Sequence, residues 1–276
     1  MRASLRFGNG VIVKHGKKFD FPDFDELQRL VMPVVSVENG ILRCWGTAVC
    51  IGAGWFVTAR HVLENLDTAG ATDVFIVWET DTPLPTGGVD YLGSLLRVRT
   101  YQLHPEVDLA TLTAEIPAQA PGELRNLDWS LRMPRLGEPV AVVGYSHLSG
   151  TIRPQTSGRG ELEWERVLSV GVGVVLEQRT ERLGVGMRQS PGFSTDAPVL
   201  AGMSGGPVID RHGRVVGFAS SSFELPGHPP TWDSYVALAG PVLELNVTDL
   251  PVGTGLDIRR DRLAGSAARR FGHVRM

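Results

Sequence analysis

Short apolar runs separated by glycines and prolines dominate the pattern of hydrophobic and polar positions along this chain. The runs are rich in Val, Ile and Leu and end at turn-forming residues, which is typical of strands. The pattern predicts strands over residues 10–13, 74–78, 139–145, 168–178 and 213–223. Helical periodicity is limited to residues 23–32, with Asp23 as a candidate cap, and residues 257–271. The chain is therefore predicted to be mainly β.

Two segments interrupt the strand pattern. Residues 118–136 (AQAPGELRNLDWSLRMPRL) contain several turn formers and no alternation, so we place the boundary between two halves of the chain there. Residues 153–166 (RPQTSGRGELEWER) are rich in Gly, Ser and charged residues, which predicts a surface loop. Many short strands on both sides of the boundary, without helices between them, favour two antiparallel barrels or sandwiches over a parallel α/β sheet.

Composition and charge narrow the partners and the location. Of 276 residues, 42% are hydrophobic and 21% are charged, which is typical of a globular protein. The formal net charge of -3 supplies no concentrated positive surface, so neither nucleic acid nor a membrane is expected as a partner. No apolar run reaches the ~20 residues that span a bilayer. The first residues also lack a secretory signal, so we expect a cytoplasmic location.

Cys44 and Cys50 are the only cysteines. An extended chain between them spans ~20 Å, which is too far for a disulfide. We therefore predict two thiols that pack as small apolar side chains, as is usual in a reducing compartment.

Candidate chemistry is concentrated in AGMSGGPVID, residues 201–210, where Ser204 lies among glycines directly before an apolar strand. Glycine is needed where the backbone takes a positive φ or approaches a ligand closely, so we predict a tight loop that presents a hydroxyl and backbone N–H groups together. Such a loop suits acyl transfer, because a serine nucleophile needs a neighbouring base and its tetrahedral oxyanion needs prearranged donors.

His61 is the best candidate for that base, because it follows the apolar strand GWFVTAR and so lies at a rigid strand end. Other histidines lie in Gly-, Lys- or Arg-rich contexts typical of the surface: His15, His212, His228 and His273. Asp108 begins an alternating apolar strand within HPEVDLATL, residues 104–112, where a buried carboxylate needs a partner. A carboxylate bonded to the second ring nitrogen would hold the tautomer that accepts the serine proton.

The segments TARHV, DLATL and GMSGGP, in that order, resemble the three signature segments of the chymotrypsin/trypsin family of serine peptidases. The order His, Asp, Ser separates this family from α/β-hydrolases and subtilisins. The resemblance covers residues 33–247 and implies an all-β fold of two antiparallel six-stranded β-barrels, with the active site between them. The implied parts are an N-terminal extension (1–32), a first barrel with His61 and Asp108 (33–122), a linker and second barrel with Ser204 (123–247), and a basic tail (248–276).

The TDA sequence that leads into the Ser204 loop, without flanking cysteines, resembles the bacterial HtrA-type branch of the family. Residues 248–276 are too few for the PDZ domain of that branch, so its quality-control role is not expected here. Secreted digestive members have an aspartate before the nucleophile, which pairs with a newly cut N-terminus, whereas this chain has Met203. The resemblance still implies an oxyanion hole made by the amides of Gly202 and Ser204.

The resemblance also implies a specificity pocket bounded by residues 196–201 and 217–222. Its base near Pro198 and Val199 has no acid, which favours small or apolar side chains at the cleaved position. Asp233 is the open alternative, because from the strand that closes the pocket it could reach the floor and favour Arg or Lys. The candidate substrate-binding residues are Pro198, Val199, Ala201, Ser220, Ser222 and Asp233.

The sequence thus predicts a serine endopeptidase that cleaves proteins or peptides through an acyl-enzyme and needs no cofactor. No metal site is expected, because the chain has no CxxC pair, no HExxH motif and no calcium-loop spacing. Two alternatives stay open: a protease-like module that binds peptides or proteins with latent or lost catalysis, and an esterase that uses the same three residues. Met203 and the 153–166 segment also motivate the hypothesis that loop ordering or a regulatory protein partner gates the activity.

Overall fold

The computed structural model describes residues 13–14, 17–18, 30–52, 54–83, 89–116, 129–154, 160–180, 191–226, 231–245 and 274–275. Strands dominate this part of the chain. The first two, β1 (Val13–Lys14) and β2 (Lys17–Lys18), form a short hairpin of their own. None of the helices within these residues is long and apolar enough to cross a membrane.

The first barrel has six strands, and each pairs antiparallel with two neighbours. They are β3 (Val31–Glu38), β4 (Ile41–Gly52), β5 (Trp55–Thr58), β6 (Val74–Pro83), β7 (Val89–Leu103) and β8 (Ala110–Ala114). The pairing order β3-β4-β5-β8-β7-β6 returns to β3, so the sheet is closed. Alternate side chains such as Met32, Val34 and Phe56 point inward and form the core of this barrel.

Helix α1 (Arg60–Thr68) follows β5 directly, and the sequence analysis missed it. Val62, Leu63 and Leu66 are buried and pack into the core of the first barrel. Their spacing is helical, but the helix has only 9 residues and is preceded by Ala59, which offers no side-chain cap. Helices this short draw their stability from packing, which a sequence pattern does not reveal.

The second barrel follows a two-residue strand, β9 (Trp129–Ser130). Its strands are β10 (Pro139–Pro154), β11 (Gly160–Arg179), β12 (Gly192–Thr195), β13 (Pro207–Asp210), β14 (Val215–Leu225) and β15 (Thr231–Leu238). The pairing order β10-β11-β12-β15-β14-β13 returns to β10, so this sheet is closed as well. A 3-10 helix (Gly240–Glu244) follows, and β16 (Val274–Arg275) pairs with β9.

A large apolar cluster joins the two barrels. It combines Trp55 and Val57 of the first barrel with Val143 and Phe218 of the second. Trp129 of β9 packs on Phe218, with 5.5 Å between the ring centroids. Strand β10 also pairs with β4 across the junction. The predicted all-β fold of two barrels is confirmed.

The prediction of a surface loop over residues 153–166 is wrong for most of the segment. Strand β10 continues to Pro154 and β11 begins at Gly160, so the two strands form a long hairpin, and only residues 155–159 lie outside the described part. The run ELEWER alternates acidic and apolar residues with the period of a strand, a signal that its high charge concealed. Trp164 packs with Val35 and Leu148 against the outside of the first barrel.

The remaining sequence predictions have mixed outcomes. Strands over 74–78, 139–145 and 168–178 are confirmed, and the one over 213–223 begins at Val215, after a turn. The helix over 23–32 is wrong at its end, because Val31 and Met32 belong to β3, whose pairing with two neighbours outweighs the local helical period. Residues 23–29, the helix over 257–271 and all of the strand over 10–13 except Val13 lie outside the described residues.

Candidate active site

His61 lies where β5 ends and α1 begins. The backbone of Ala59 is extended (φ -72°, ψ 142°), and the helix starts at Arg60, so the imidazole is held at a rigid strand end. Nδ1 of His61 lies 2.8 Å from Oδ2 of Asp108, and the backbone N–H of His61 donates to Oδ1 over 2.9 Å. The carboxylate thus contacts both the ring and the main chain of one residue, which fixes the orientation of the ring.

Asp108 is buried, in the turn between β7 and β8. Burial alone raises the pKa of its carboxyl, but hydrogen bonds from the ring of His61, the charge of the imidazolium and the hydroxyl of Ser220 outweigh burial and hold the pKa below its usual range. An ionised carboxylate only accepts hydrogen bonds. Nδ1 of His61 therefore carries a hydrogen in either charge state of the ring, and when the ring loses a proton, Nε2 becomes the acceptor that a general base requires.

The turn that carries Asp108 is organised by His104, which the sequence analysis did not consider. The ring of His104 is buried, with 3% of the residue exposed. Its Nδ1 accepts the backbone N–H groups of Glu106 and Val107, both over 3.1 Å. The ring thus occupies the inside of the turn and holds it in one conformation.

Arg60 ties this turn to the start of α1. Its guanidinium donates to the backbone carbonyls of His104 (2.9 Å) and Pro105 (3.1 Å), and its Nε donates to Glu64 over 2.7 Å. Arg60 directly precedes His61, so one residue links the elements that carry the base and the carboxylate. Arg60 precedes His61 in the TARHV motif, but no sequence pattern indicated which groups its guanidinium contacts.

Ser204 lies in a loop, residues 200–206, that leads into β13. Gly202 and Gly205 have φ values of +88° and +83°, which glycine adopts without the strain that other residues incur. A Cβ on Gly202 would also meet the carbonyl oxygen of Tyr145 at 2.5 Å. Both the conformation and the close approach therefore require glycine at position 202.

The Ser204 hydroxyl donates to the backbone carbonyl of Ser220 over 3.3 Å, and the Ser220 hydroxyl donates to Asp108. Ser220 therefore contacts two of the predicted catalytic residues, Ser204 and Asp108. Among the described residues, no hydrogen bond joins Ser204 to the ring of His61. The hydroxyl must rotate away from Ser220 before it can donate to Nε2.

The backbone amides on either side of Met203 are available as donors. Within the described part of the chain, the amides of Gly202 and Ser204 donate to no protein acceptor. Three amides that follow Gly202 in the loop are bonded: those of Met203, Gly205 and Gly206 donate to the carbonyls of Leu200, Ala219 and Met203. Two amides without acceptors, on either side of Met203, are what the binding of an oxyanion requires.

Comparison with known protein families shows to which family the chain belongs. The family model of the trypsin-like peptidase domain matches residues 46–218, which is more than half of the chain. The chain belongs to the trypsin-like peptidase domain family. No curated protein sequence matches it.

Solved structures with this fold include several proteases. The Rv3671c protease from M. tuberculosis in its active form is 20% identical, with 85% of this chain and 88% of that chain covered and a TM-score of 0.53. Deg5 is 19% identical, with 82% and 94% covered and a TM-score of 0.52. A variant of the HtrA-type protease AlgW with a tripeptide is 20% identical, with 79% and 58% covered and a TM-score of 0.50. At these identities the likenesses concern the fold alone, and that fold is shared with an HtrA-type protease.

Met203 anchors the Ser204 loop of this trypsin-like peptidase domain. It is buried, with 1% exposed, and packs with Ala197, Val199 and other residues of the second-barrel core. Its Sδ also accepts the backbone N–H of Leu200 over 3.3 Å. The loop is therefore held by apolar packing of Met203 as well as by hydrogen bonds.

The predicted substrate-binding residues lie in different environments. Val199 is part of the second-barrel core, and the hydroxyl of Ser220 is turned to Asp108. Pro198 is half-buried, and Ala201 is exposed. These four residues therefore differ in their exposure and in the groups that they contact.

Ser234, which the sequence analysis missed, connects the two predicted walls of the specificity pocket. Its hydroxyl donates to the carbonyl of Ala197 over 2.6 Å and lies 2.7 Å from the hydroxyl of Ser222. Successive residues of a strand point to opposite faces, so Asp233 on β15 faces away from this contact, where it is half-buried. The alternation along TWDSYV was the signal that distinguishes the two positions.

Cys44 is half-buried and Cys50 is buried, and neither forms a disulfide, as the strand spacing predicted. Burial raises the pKa of the Cys44 thiol to about 11, so this thiol stays protonated at neutral pH. In the residues that the structure describes, no three His, Cys, Asp or Glu side chains are arranged to hold a metal ion.

Proposed function

We propose that this protein is a serine endopeptidase in which Ser204 is the nucleophile, His61 the general base and Asp108 the carboxylate that orients the base. The observation that carries the proposal is the 2.8 Å contact between Nδ1 of His61 and the buried Asp108. This contact leaves Nε2 as the ring nitrogen that can accept a proton from Ser204. Membership of a peptidase family supports peptide bonds as the target.

The reaction would begin with rotation of the Ser204 hydroxyl from the Ser220 carbonyl to Nε2 of His61. As Oγ attacks the substrate carbonyl carbon, its proton moves to Nε2, and the carbonyl π electrons move to the oxygen. The amides of Gly202 and Ser204 would stabilise that oxyanion. The intermediate collapses to an acyl-enzyme as Nε2–H protonates the departing amine, and water then repeats the sequence in place of serine.

Asp108 would act by stabilising the imidazolium that forms in both steps. Its carboxylate contacts the ring directly and is shielded from water, so the attraction is stronger than at the surface. The bond also prevents the ring from adopting the tautomer with hydrogen on Nε2. The carboxylate therefore contributes orientation and charge without accepting the proton itself.

We further propose a preference for small or apolar side chains at the cleaved position. Two observations support this preference. Hydrogen bonds connect Ser234 to Ser222 and to the Ala197 carbonyl, and Asp233 points to the opposite face of the strand from Ser234. Peptide substrates that differ only in Ala, Val or Arg at this position test it. A higher kcat/KM for Arg, lost in Asp233→Asn, would contradict the preference.

The test of the catalytic proposal is labelling with a fluorophosphonate probe, followed by intact mass. The wild type is compared with Ser204→Ala, His61→Ala and Asp108→Ala. Ser169→Ala is the matched control, since the Ser169 hydroxyl lies 2.6 Å from the hydroxyl of Ser146, which has no proposed catalytic role. We expect one label on the wild type and the control, none on Ser204→Ala and strongly slowed labelling in the other two. A folded wild type that takes no label would contradict the proposal.

A second candidate function is a protease-like module that binds peptides with latent catalysis. The observation in its favour is the Ser204 hydroxyl, which is directed to Ser220 and not to His61. Peptide binding without labelling or turnover would establish it, whereas ester turnover without peptide cleavage would indicate an esterase. Gating by a substrate or a regulatory partner, protein or peptide substrates and a cytoplasmic location stay predictions.

A further inference from the structure

Thr47 of the first barrel reaches across to the Ser204 loop of the second. It lies on β4 and is fully buried. Its backbone N–H donates to the carbonyl of Ser204 over 2.8 Å, and its hydroxyl donates to the carbonyl of Gly202 over 2.8 Å. The same hydroxyl accepts the backbone N–H of Tyr145 over 3.0 Å. One residue therefore binds two carbonyls of the loop and one amide of β10.

The approach of β4 to the loop depends on the preceding residue. A Cβ on Gly46 would meet the carbonyl oxygen of Ser204 at 2.9 Å and the side chain of Val62 at 2.6 Å. Gly46 thus allows the strand to lie directly against the loop. The contact of Thr47 is part of the packing between barrels and not a chance encounter of exposed groups.

These bonds orient the peptide units of the loop. The carbonyl of Gly202 and the amide of Met203 belong to one peptide unit, and both are bonded, to Thr47 and to Leu200. The next carbonyl, on Met203, accepts from Gly206, and the one on Ser204 accepts from Thr47. With these carbonyls turned into the protein, the amides of Gly202 and Ser204 are left without acceptors.

We propose that Thr47 is a positioning residue for the oxyanion hole. Its hydroxyl holds the peptide unit between Gly202 and Met203, so that the amides of Gly202 and Ser204, on either side of this unit, face the substrate carbonyl. The inference rests on the proposed function. On this view the conformation of the Ser204 loop depends on a contact between the barrels, and the second barrel alone cannot form the oxyanion hole.

The side-chain contact is separable from the backbone contact. Thr47→Val keeps the shape of the residue and its backbone bond to Ser204, but it removes the donor to Gly202 and the acceptor for Tyr145. Thr47→Ser retains both. Thr113→Val is the matched control, because Thr113 is a buried threonine of the same barrel whose hydroxyl accepts the backbone N–H of Thr100 over 3.2 Å.

We expect Thr47→Val to lower kcat about 100-fold, since small displacements of preorganised groups have effects of that size. KM should change less than about threefold, because the contact acts in the transition state and not in substrate binding. Thr47→Ser should retain wild-type kcat within about threefold, and so should Thr113→Val. If Thr47 had only a structural role, Thr47→Val and Thr113→Val would lose similar amounts of stability, and both would keep the wild-type kcat.

Hydrogen exchange followed by mass spectrometry supplies a readout that does not need activity. In Thr47→Val the amides of residues 200–206 should exchange at least about tenfold faster than in the wild type and in Thr113→Val. If Thr47→Val does not fold, Thr47→Cys replaces it, since a thiol is a weak donor, and the same direction is expected. Unchanged kcat or unchanged exchange of this segment in the folded variant overturns the inference. An inactive wild type contradicts the proposed function, while the exchange comparison still decides the role of Thr47.

Discussion

The two halves of the candidate site are held in different ways. On the first barrel, His61 and Asp108 contact each other directly through two hydrogen bonds, one from the ring and one from the main chain. On the second barrel, the Ser204 loop is held through its peptide groups, and two of its carbonyls are bonded to Thr47 of the first barrel. The base and its carboxylate are assembled mainly within one barrel, whereas the nucleophile loop needs both.

Each half of the site is sensitive to a different kind of substitution. The pair of His61 and Asp108 depends on the chemistry of two side chains and on the turn that carries the carboxylate. The loop depends on backbone conformation, on glycine at position 202 and on the docking of the barrels. Single substitutions can therefore perturb one half while the other is retained.

The largest effect is expected where the direct pair is broken. Asp108→Asn should lower kcat about 10⁴-fold, because an amide can hold the ring in the wrong tautomer and cannot stabilise the imidazolium. Steady-state turnover of a peptide substrate measures it. Asp73→Asn is the control, since Asp73 is an exposed acid that pairs with Arg97 over 2.9 Å, and it should leave kcat unchanged. Wild-type turnover in Asp108→Asn would contradict the assigned role.

A smaller loss is expected where the loop is distorted. Gly202→Ala should lower kcat about 100- to 1,000-fold, the usual effect of losing an oxyanion donor. The new Cβ would approach the Tyr145 carbonyl, so the loop must move. Gly70→Ala also places alanine at a positive φ (+67°), but nothing lies within 4 Å of its Cβ, so it should only destabilise by about 1 kcal/mol. Equal kcat in the two variants would argue against an oxyanion role for Gly202.

A moderate loss is expected where the support of the pair is loosened. Arg60→Met removes the donors to the His104 and Pro105 carbonyls and should lower kcat about tenfold, with little change in KM. Arg60→Lys should recover part of the loss. Glu64→Gln removes the charge that Arg60 pairs with and leaves the carbonyl contacts, so it serves as the control. A rise in KM at constant kcat would point to a role in substrate binding instead.

The smallest effect concerns acid stability. The pKa of Asp108 is lowered, and so is that of Asp210, where burial is outweighed by hydrogen bonds from Arg214. A carboxyl whose pKa is lower in the folded state contributes stability above its unfolded pKa of about 3.9, and the contribution disappears as the pH falls toward the folded pKa. Urea unfolding between about pH 5 and pH 2 should show a decline of up to about 1.4 kcal/mol per pH unit for each carboxyl.

The Asp210→Asn variant distinguishes the contributions of the two carboxyls to acid stability. It should make this decline shallower while the contribution of Asp108 is retained. A free energy of unfolding that rises as the pH falls in this range would contradict both assignments.

Much of the fold could be predicted from the sequence, because alternating or continuous apolar runs are local patterns that indicate strands. Residues 74–78 and 139–145 are examples, and both lie in strands of the closed barrels. Helix α1 and the hairpin over 153–166 were missed for physical reasons. The helix depends on burial of Val62, Leu63 and Leu66, and the charge of the hairpin concealed its strand period.

The order and type of the candidate catalytic residues could be predicted from local patterns, because His61, Asp108 and Ser204 each lie in a short motif with its own turn or strand signal. The surroundings of these residues depend on the packing of the whole fold. The contacts of Arg60 with the His104 carbonyl and of Thr47 with the Gly202 carbonyl join residues 44 and 155 positions apart. Such contacts follow from barrel closure and barrel docking, and no local pattern of residues encodes them.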